Sequence, residues 1–566
     1  MLSYYQRFDQ MNLIFFLSRD QDHATLKNSI AYNLSAFQTS MKQLSDAKSD
    51  TIADRTFRYD MLRVLASLKS EEGNEYDIQL SNNCAKNILE ISEIDETIKN
   101  HKNTYLSAWS YLKTILHGRD LITMHNILKA SGINPQATMG EIITRGKKLT
   151  LLAKKYQNQI TPLWRFLVDW QLICAFQITK PEPNVIEIKE WLLQPHFDSE
   201  AFLNWFSEGV DDFLSFASLE GHVLRQPTLD QFLSNPSFWA TGGTSTTTDS
   251  ITVDGLKSRK NKWALAYTQN TEQLRATTLD TNFDVIRPFT KPDEPLKLRF
   301  IATGGDSTYL KMSYLSSIVE PALSHHPRTT LFMDNFDYFK AFESLRSGKM
   351  EGKINFDVDQ SAFDHHVSKQ QVVLAVQKLC QCARQIANCV VRVDVNNVCD
   401  ALLTQIENQH VVYQDMNIGK WQNGVPSGWR WTALLNTIVN WGQNFAVHKL
   451  ANVPVSRVHF VQGDDSTELL NNAEQGEALL VAWKIFGFDV HPLKTLLDTQ
   501  CGEFLRYTYG KNGISGYPMR AMRSLINPNT LITPREKIST LQTFISRCQL
   551  PIPAILDWFK TIHLKN

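Results

Sequence analysis

Val458-His459-Phe460-Val461-Gln462-Gly463-Asp464-Asp465-Ser466-Thr467-Glu468-Leu469-Leu470 is the stretch on which the fold turns. Apolar residues alternate on both sides of a Gly-Asp-Asp centre, the pattern of a β-hairpin whose turn carries adjacent carboxylates. Gly463 permits the tight turn, which pushes Asp464 and Asp465 out of the sheet edge side by side. Carboxylates this close repel each other unless a cation sits between them, and hard oxygen ligands suit Mg²⁺. One reading is half of a two-metal phosphoryl-transfer site. The other is a solvated Asp-rich turn. Gly-Asp-Asp alone is too frequent by composition to choose between them.

A second acidic segment lies upstream. Ile354-Asn355-Phe356-Asp357-Val358-Asp359 alternates strictly, with Ile354, Phe356 and Val358 on one face and Asn355, Asp357 and Asp359 on the other. A buried strand face does not normally carry two aspartates. The chain then leaves the sheet through Gln360-Ser361-Ala362-Phe363-Asp364, so Asp359 ends the strand and Asp364 returns near it. A strand placed beside the hairpin would set Asp359 and Asp464 around a common metal pair. Helix capping by Asp359 or Asp364 is the alternative for one of them.

Between the acidic segments runs Asn423-Gly424-Val425-Pro426-Ser427-Gly428-Trp429-Arg430-Trp431-Thr432-Ala433-Leu434-Leu435-Asn436. Its glycines and proline predict a loop, followed by a helix from about Trp429. Thr432 and Asn436 are four apart and share a helix face. Such a pair can bind a ribose hydroxyl, directly or through Asp364, and a site built this way rejects a sugar lacking it by roughly 10⁴-fold. A helix cap and a buried helix–helix hydrogen bond fit the same spacing.

Three further segments offer phosphate chemistry. Gly243, Thr244 and Ser245 lie in a loop whose N–H groups and hydroxyls could hold a phosphate backbone, or which simply connects. Arg259, Lys260 and Lys262 form the densest basic cluster, either a footprint for phosphates or a solvated charged face. Lys297-Leu298-Arg299-Phe300-Ile301-Ala302-Thr303 reads as a strand with both cations on one face, suited to a triphosphate.

Composition limits the alternatives. The chain has 566 residues, 43% of them hydrophobic, which is too long for one core. Its formal net charge of zero argues for a local basic channel rather than a basic surface, or against nucleic acid. None of the eight cysteines forms a CxxC pair, so neither a zinc site nor a disulfide scaffold is expected, and a reducing compartment fits. Met1 to Asp20 is too charged for a signal peptide. No apolar run reaches the roughly 18 residues of a membrane span. Residues 1–110 show helical spacing and no chemical motif.

The ordered set Asp359-x4-Asp364, Ser427-Gly428-x3-Thr432-x3-Asn436 and Gly463-Asp464-Asp465 resembles motifs A, B and C of viral RNA-dependent RNA polymerases. Lys297 and Arg299 look like motif F, Lys494 like the motif D lysine, Glu503-Phe504-Leu505-Arg506 like motif E, and the Gly242–Thr246 loop like motif G. The wording Gly-Val-Pro-Ser-Gly-Trp-Arg-Trp-Thr-Ala-Leu-Leu looks most like polymerases of small segmented double-stranded RNA viruses, picobirnaviruses first and partitiviruses next. The resemblance covers roughly residues 230–530 and implies an α+β fold, a closed right hand of fingers, palm and thumb with an antiparallel palm sheet. The expected order is a helical extension over 1–110, fingers over 111–345, palm over 346–370, a fingers insertion over 371–415, palm over 416–510 and thumb over 511–566.

The resemblance also implies a chemistry. Asp359, Asp464 and Asp465 would hold two Mg²⁺, with Mn²⁺ as an alternative ion, and Lys494 would protonate the leaving pyrophosphate. Lys297, Arg299, Asp364, Ser427, Gly428, Thr432 and Asn436 would bind the rNTP. RNA contacts are expected from Gly243, Thr244, Ser245, Arg259, Lys260, Lys262, Arg506, Arg520 and Arg523. The implied partners are single- and double-stranded RNA, rNTPs and a viral capsid protein, with no membrane, for a monomer in the virion interior and host cytoplasm that starts synthesis without a primer. A reverse transcriptase shares the palm but lacks the Asp364/Asn436 pair. A polymerase-derived scaffold without turnover would be free to lose metal ligands, and none is lost here. A DNA-binding module is weakest, given the neutral charge and no groove-reading motif.

Overall fold

A computed structural model describes residues 184–217, 226–243, 261–290, 300–490, 495–511 and 513–519, together with shorter pieces of which 139–155 is the longest. Thr244, Arg259, Lys260, Lys297, Arg299, Lys494, Arg520, Arg523 and the 1–110 extension lie outside the described residues. The chain forms two units, one of residues 181–291 and 299–505, the other of residues 1–180, 292–298 and 506–566.

In the first unit eight strands build two four-stranded sheets. They are β1 (Val285–Thr290), β2 (Phe300–Thr303), β3 (Ile354–Val358), β4 (His410–Tyr413), β5 (Met416–Lys420), β6 (His459–Gln462), β7 (Asp465–Leu470) and β8 (Leu496–Asp498). One sheet has the order β2-β1-β4-β5, with β1 and β4 parallel. The other has the order β8-β3-β7-β6 and is antiparallel throughout. The predicted Gly-Asp-Asp hairpin is thus formed by β6 and β7, and the predicted acidic strand, β3, lies directly beside it.

Seven helices of this unit matter for the site: α1 (Glu200–Leu214), α2 (Asp306–Ala322), α3 (Asn335–Met350), α4 (Lys369–Ile386), α5 (Arg392–Ile406), α6 (Thr432–Ala451) and α7 (Ala473–Ile485). Helix α6 begins three residues later than its sequence spacing suggests, because the Trp429–Trp431 turn precedes it. Most of its 20 residues are buried, the mark of a helix running through the core rather than over it. It ends at Asn452, which takes the left-handed conformation at φ 53°.

α6 crosses α1 at unusually close range. A Cβ at Gly442 would stand 2.7 Å from the Phe206 ring, and one at Gly209 would stand 2.6 Å from Phe445 Cβ. Each helix therefore offers a glycine to the other's aromatic ring. Trp441 fixes the same crossing by donating its Nε1–H to Asp212 at 3.1 Å, the usual fate of a buried indole N–H.

α2 and α5 enclose a polar knot. The fully buried Lys311 donates to the Asp280 carbonyl at 2.6 Å, to Ser307 Oγ at 2.6 Å and to Gln405 Oε1 at 3.0 Å. Burial pushes its pKa down to about 8, against the pull of Asp284 and Asp280.

The second unit contains the helix Met139–Lys155 and an antiparallel hairpin of Tyr507–Gly510 with Gly513–Gly516. Lys154 Nζ sits 5.0 Å above the Tyr517 ring. Arg506 is exposed, holds a left-handed φ of 65°, and acts electrostatically on Asp169, whose pKa burial raises.

Candidate active site

The register of the antiparallel sheet assembles the acidic groups. Val358 of β3 pairs with Ser466 of β7, and Gln462 of β6 pairs with Asp465. Asp359 directly follows Val358 and Asp465 directly precedes Ser466, so both lie at the same end of the paired strands, with Asp464 on the turn. Gly463 opens that turn at φ +62°. A Cβ there would meet nothing within 4 Å, so the backbone conformation, not space, requires glycine.

The turn is held from α6. Gly463 N–H donates to Thr437 Oγ1 at 2.8 Å. Asn440 Nδ2 donates to the Gly463 carbonyl at 3.0 Å and to the Asp465 carbonyl at 3.3 Å. Asp464 is exposed, and Asp359 and Asp465 are half-buried. The three carboxylates share one end of the sheet but are not all within 4.8 Å of one another. As a donor set they are hard anionic oxygens, which fit Mg²⁺ or Mn²⁺ and not a thiolate-seeking ion.

Beside them lies the predicted pair. Asn436 Nδ2 donates to Asp364 Oδ1 at 2.7 Å. The Asp364 carbonyl accepts from Val425 N–H at 2.8 Å and from Trp191 Nε1 at 3.2 Å, so the 423–428 loop is stitched to the segment leaving β3. Asn436 Oδ1 is buried with no hydrogen-bond partner among the described residues. A buried amide oxygen in that state is a ready acceptor for a hydroxyl.

The other predicted contacts divide. Ser427 Oγ accepts from Ala302 N–H at 3.4 Å and Gly428 N–H donates to the Ala302 carbonyl at 2.9 Å, which seats the loop on β2. Thr432 donates its hydroxyl to the Trp429 carbonyl at 2.8 Å, so it closes the turn before α6 while Asn436 makes the bond to Asp364.

Two of the residues expected to contact RNA are buried. Ser245 is buried and spends its hydroxyl on Asp306 Oδ2 at 2.6 Å. Lys262 is also buried, with Nζ 4.4 Å over the Tyr309 ring. Burial lowers its pKa although Asp306 opposes this. Neither side chain is presented as a surface contact for phosphate, because packing against α2 claims both. Gly243 is exposed, and its carbonyl accepts from Lys262 N–H at 3.2 Å.

Sequence reasoning missed two buried networks. Asp357 points away from solvent, since both faces of β3 are covered. It accepts from the Thr467 hydroxyl, from Asn355 Nδ2 at 2.7 Å and from Glu503 N–H at 2.7 Å. Lys349 Nζ in turn donates to Asn355 Oδ1 at 2.7 Å, relaying a buried cation to a buried carboxylate. The second network starts one residue past Asp359. Gln360 donates to Gln443 at 2.8 Å, Gln443 to Gln371 at 2.8 Å, and Gln371 to Asp198 at 3.0 Å. Glutamines on the apolar faces of α4 and α6 were the available signal.

An antiparallel sheet that gathers aspartates at the end of its central strand and on the adjoining hairpin, flanked by an Asp–Asn pair at a helix start, is the arrangement of a polymerase palm. The model of the viral RNA-directed RNA polymerase family matches residues 218–530, more than half of the chain. The chain belongs to this family. A probable RNA-directed RNA polymerase of Giardia lamblia virus (isolate Wang) is 27% identical over 399 residues, covering 68% of this chain and 20% of the relative. The chain thus spans about a fifth of that relative's length. Among solved structures, the RNA-dependent RNA polymerase of a human picobirnavirus aligns with a TM-score of 0.48 at 12% identity, over 76% of this chain and 84% of that one. Its insertion-loop deletion mutant aligns with a TM-score of 0.46 at 12% identity, over 76% and 86%.

Proposed function

We propose that the chain copies an RNA template into RNA from rNTPs by nucleotidyl transfer, replicating and transcribing a viral double-stranded RNA genome. The observation that carries this reading is the antiparallel sheet that brings the end of β3, at Asp359, to the same edge as the turn carrying Asp464 and Asp465, together with the Asp364–Asn436 hydrogen bond. Asp359 and Asp464, supported by Asp465, would hold two Mg²⁺ ions, which supply Lewis-acid activation of the RNA 3′-OH and charge neutralisation at the triphosphate. Asp364 and Asn436 read the ribose hydroxyl, positioned by Ser427, Gly428 and Thr432 at the loop. Lys297 and Arg299 stabilise the phosphates electrostatically, and Lys494 protonates the departing pyrophosphate. Arg506, with Arg520, Arg523, Arg259 and Lys260, contacts RNA. Initiation without a primer, a closed hand, a monomeric state, a capsid partner and residence in the virion interior and host cytoplasm complete the proposal, on the resemblance described above.

The test is RNA synthesis by purified protein on an unprimed single-stranded RNA with Mg²⁺ and four rNTPs, beside Asp464→Ala. Full-length complementary product from the parent alone supports both the activity and primer-independent initiation. Product only with an annealed primer removes the initiation mode. Near-normal turnover by Asp464→Ala removes the site assignment.

A further inference from the structure

Three ligand-type side chains meet in the core behind the catalytic hairpin. His459 and Glu468 are register partners across β6 and β7, and His448 lies in the last turn of α6. All three are buried, and their ligand atoms lie within 4.8 Å of one another. Among the described residues no other group of three histidine, cysteine or carboxylate side chains does so.

The outer ring nitrogens are already anchored. His448 Nδ1 is 3.0 Å from the Val453 carbonyl, and His459 Nε2 is 3.2 Å from Ser466 Oγ. A carbonyl can only accept, so His448 carries a proton on Nδ1. Its Nε2 then faces Glu468 Oε1 at 3.1 Å, a contact that requires either a second proton or a cation. His459 Nδ1 faces Glu468 Oε2 at 3.7 Å, too far for a hydrogen bond, and among the described residues neither atom has a side-chain hydrogen-bond partner.

A protonated His448 satisfies Oε1 alone and leaves that second pair stranded. A cation between the three side chains satisfies both. His459 Nδ1 is therefore the ring atom available to ligate. Arg328, which lies 5.2 Å over the Trp441 ring, offsets the carboxylate of Asp212, which is bonded to Trp441, and leaves Glu468 as the anion a cation here would meet.

We propose that His448, His459 and Glu468 form a structural transition-metal site of the zinc class that pins both strands of the hairpin to the end of α6. Each ring nitrogen stands within 4 Å of a Glu468 carboxylate oxygen, a spacing that small side-chain adjustments can convert into bonds of about 2.0–2.2 Å to a shared ion. Anchored outer nitrogens are the usual second layer of a histidine metal site. The cysteine spacing that argued against zinc has no bearing, because the site uses none. Nor does the site rest on the polymerase reading, and it shares no residue with the aspartates.

The experiment loads the full-length protein with Zn²⁺, desalts it, and measures metal by elemental analysis, with Co²⁺ substitution followed by visible absorption. Retention of about one Zn²⁺ per chain, kept in Asp464→Ala and lost in both His459→Gln and Glu468→Gln, with a tetrahedral Co²⁺ spectrum, is expected. No retained ion, or equal retention in all three variants, overturns the proposal. If the His459→Gln and Glu468→Gln proteins fail to fold, the spectrum of the parent decides, and an octahedral Co²⁺ signal alone overturns it.

Discussion

Asn436 and Asp357 are both buried side chains bonded to partners on other segments, yet they face opposite tests. Asn436 keeps one amide oxygen unsatisfied beside Asp364. Asn436→Ala is expected to lower the preference for rNTP over dNTP by roughly one to two orders of magnitude while leaving the folded structure unchanged. Single-nucleotide incorporation with paired substrates checks this. Asp357 accepts three hydrogen bonds inside the sheet. Asp357→Ala strands those donors together with the Lys349 charge behind Asn355, and should cost about 3–5 kcal/mol. Urea unfolding followed by circular dichroism checks this. The difference between the two was only half legible. Asp364-x-Asn436 chemistry followed from helical spacing and the loop, whereas the alternation of β3 put Asp357 on the same face as Asp359. It did not show that the residues around Glu503 cover that face. Burial of Lys262 and Ser245 was hidden for the same reason: the Tyr309 ring and Asp306 that claim them are distant in sequence.

Local patterns located the main elements well. The hairpin and β3 carry a clear alternation, and the Gly/Pro loop before α6 announces that helix, so their positions follow from short-range rules. The α1–α6 crossing does not, because it depends on two glycines that meet each other's neighbours only after folding. Gly442→Ala and Gly209→Ala are each expected to destabilise by about 1–3 kcal/mol through overpacking against Phe206 and Phe445. The double variant should cost less than the sum, since one small separation of the helices relieves both clashes. Thermal unfolding of the three proteins measures this, and strict additivity would show that the two clashes are relieved independently.

On the scale of the whole molecule, a neutral chain still carries buried charge that makes its stability depend on pH. Lys311 has a folded pKa of about 8 against the ordinary 10.5. Between those values the unfolded lysine binds a proton that the folded one does not, so this group's contribution to stability rises with pH through that window. From about pH 7.5 to about pH 9.5 the gain relative to Lys311→Met should be about 2 kcal/mol. Denaturant midpoints of both proteins across that range check it, and parallel curves would sink the assignment.

The grip of α6 on the Gly463 turn has a consequence for timing. The Gly463 and Asp465 carbonyls and the Gly463 N–H are taken by one helix, and Asp359 and Asp465 adjoin the paired strands at one end of the sheet. The backbone beneath the aspartates therefore has no hinge. Carboxylates that stand apart can converge on a cation only by rotating their side chains, a picosecond-to-nanosecond event. Side-chain rotation, not movement of the turn, would then bring these carboxylates to a cation.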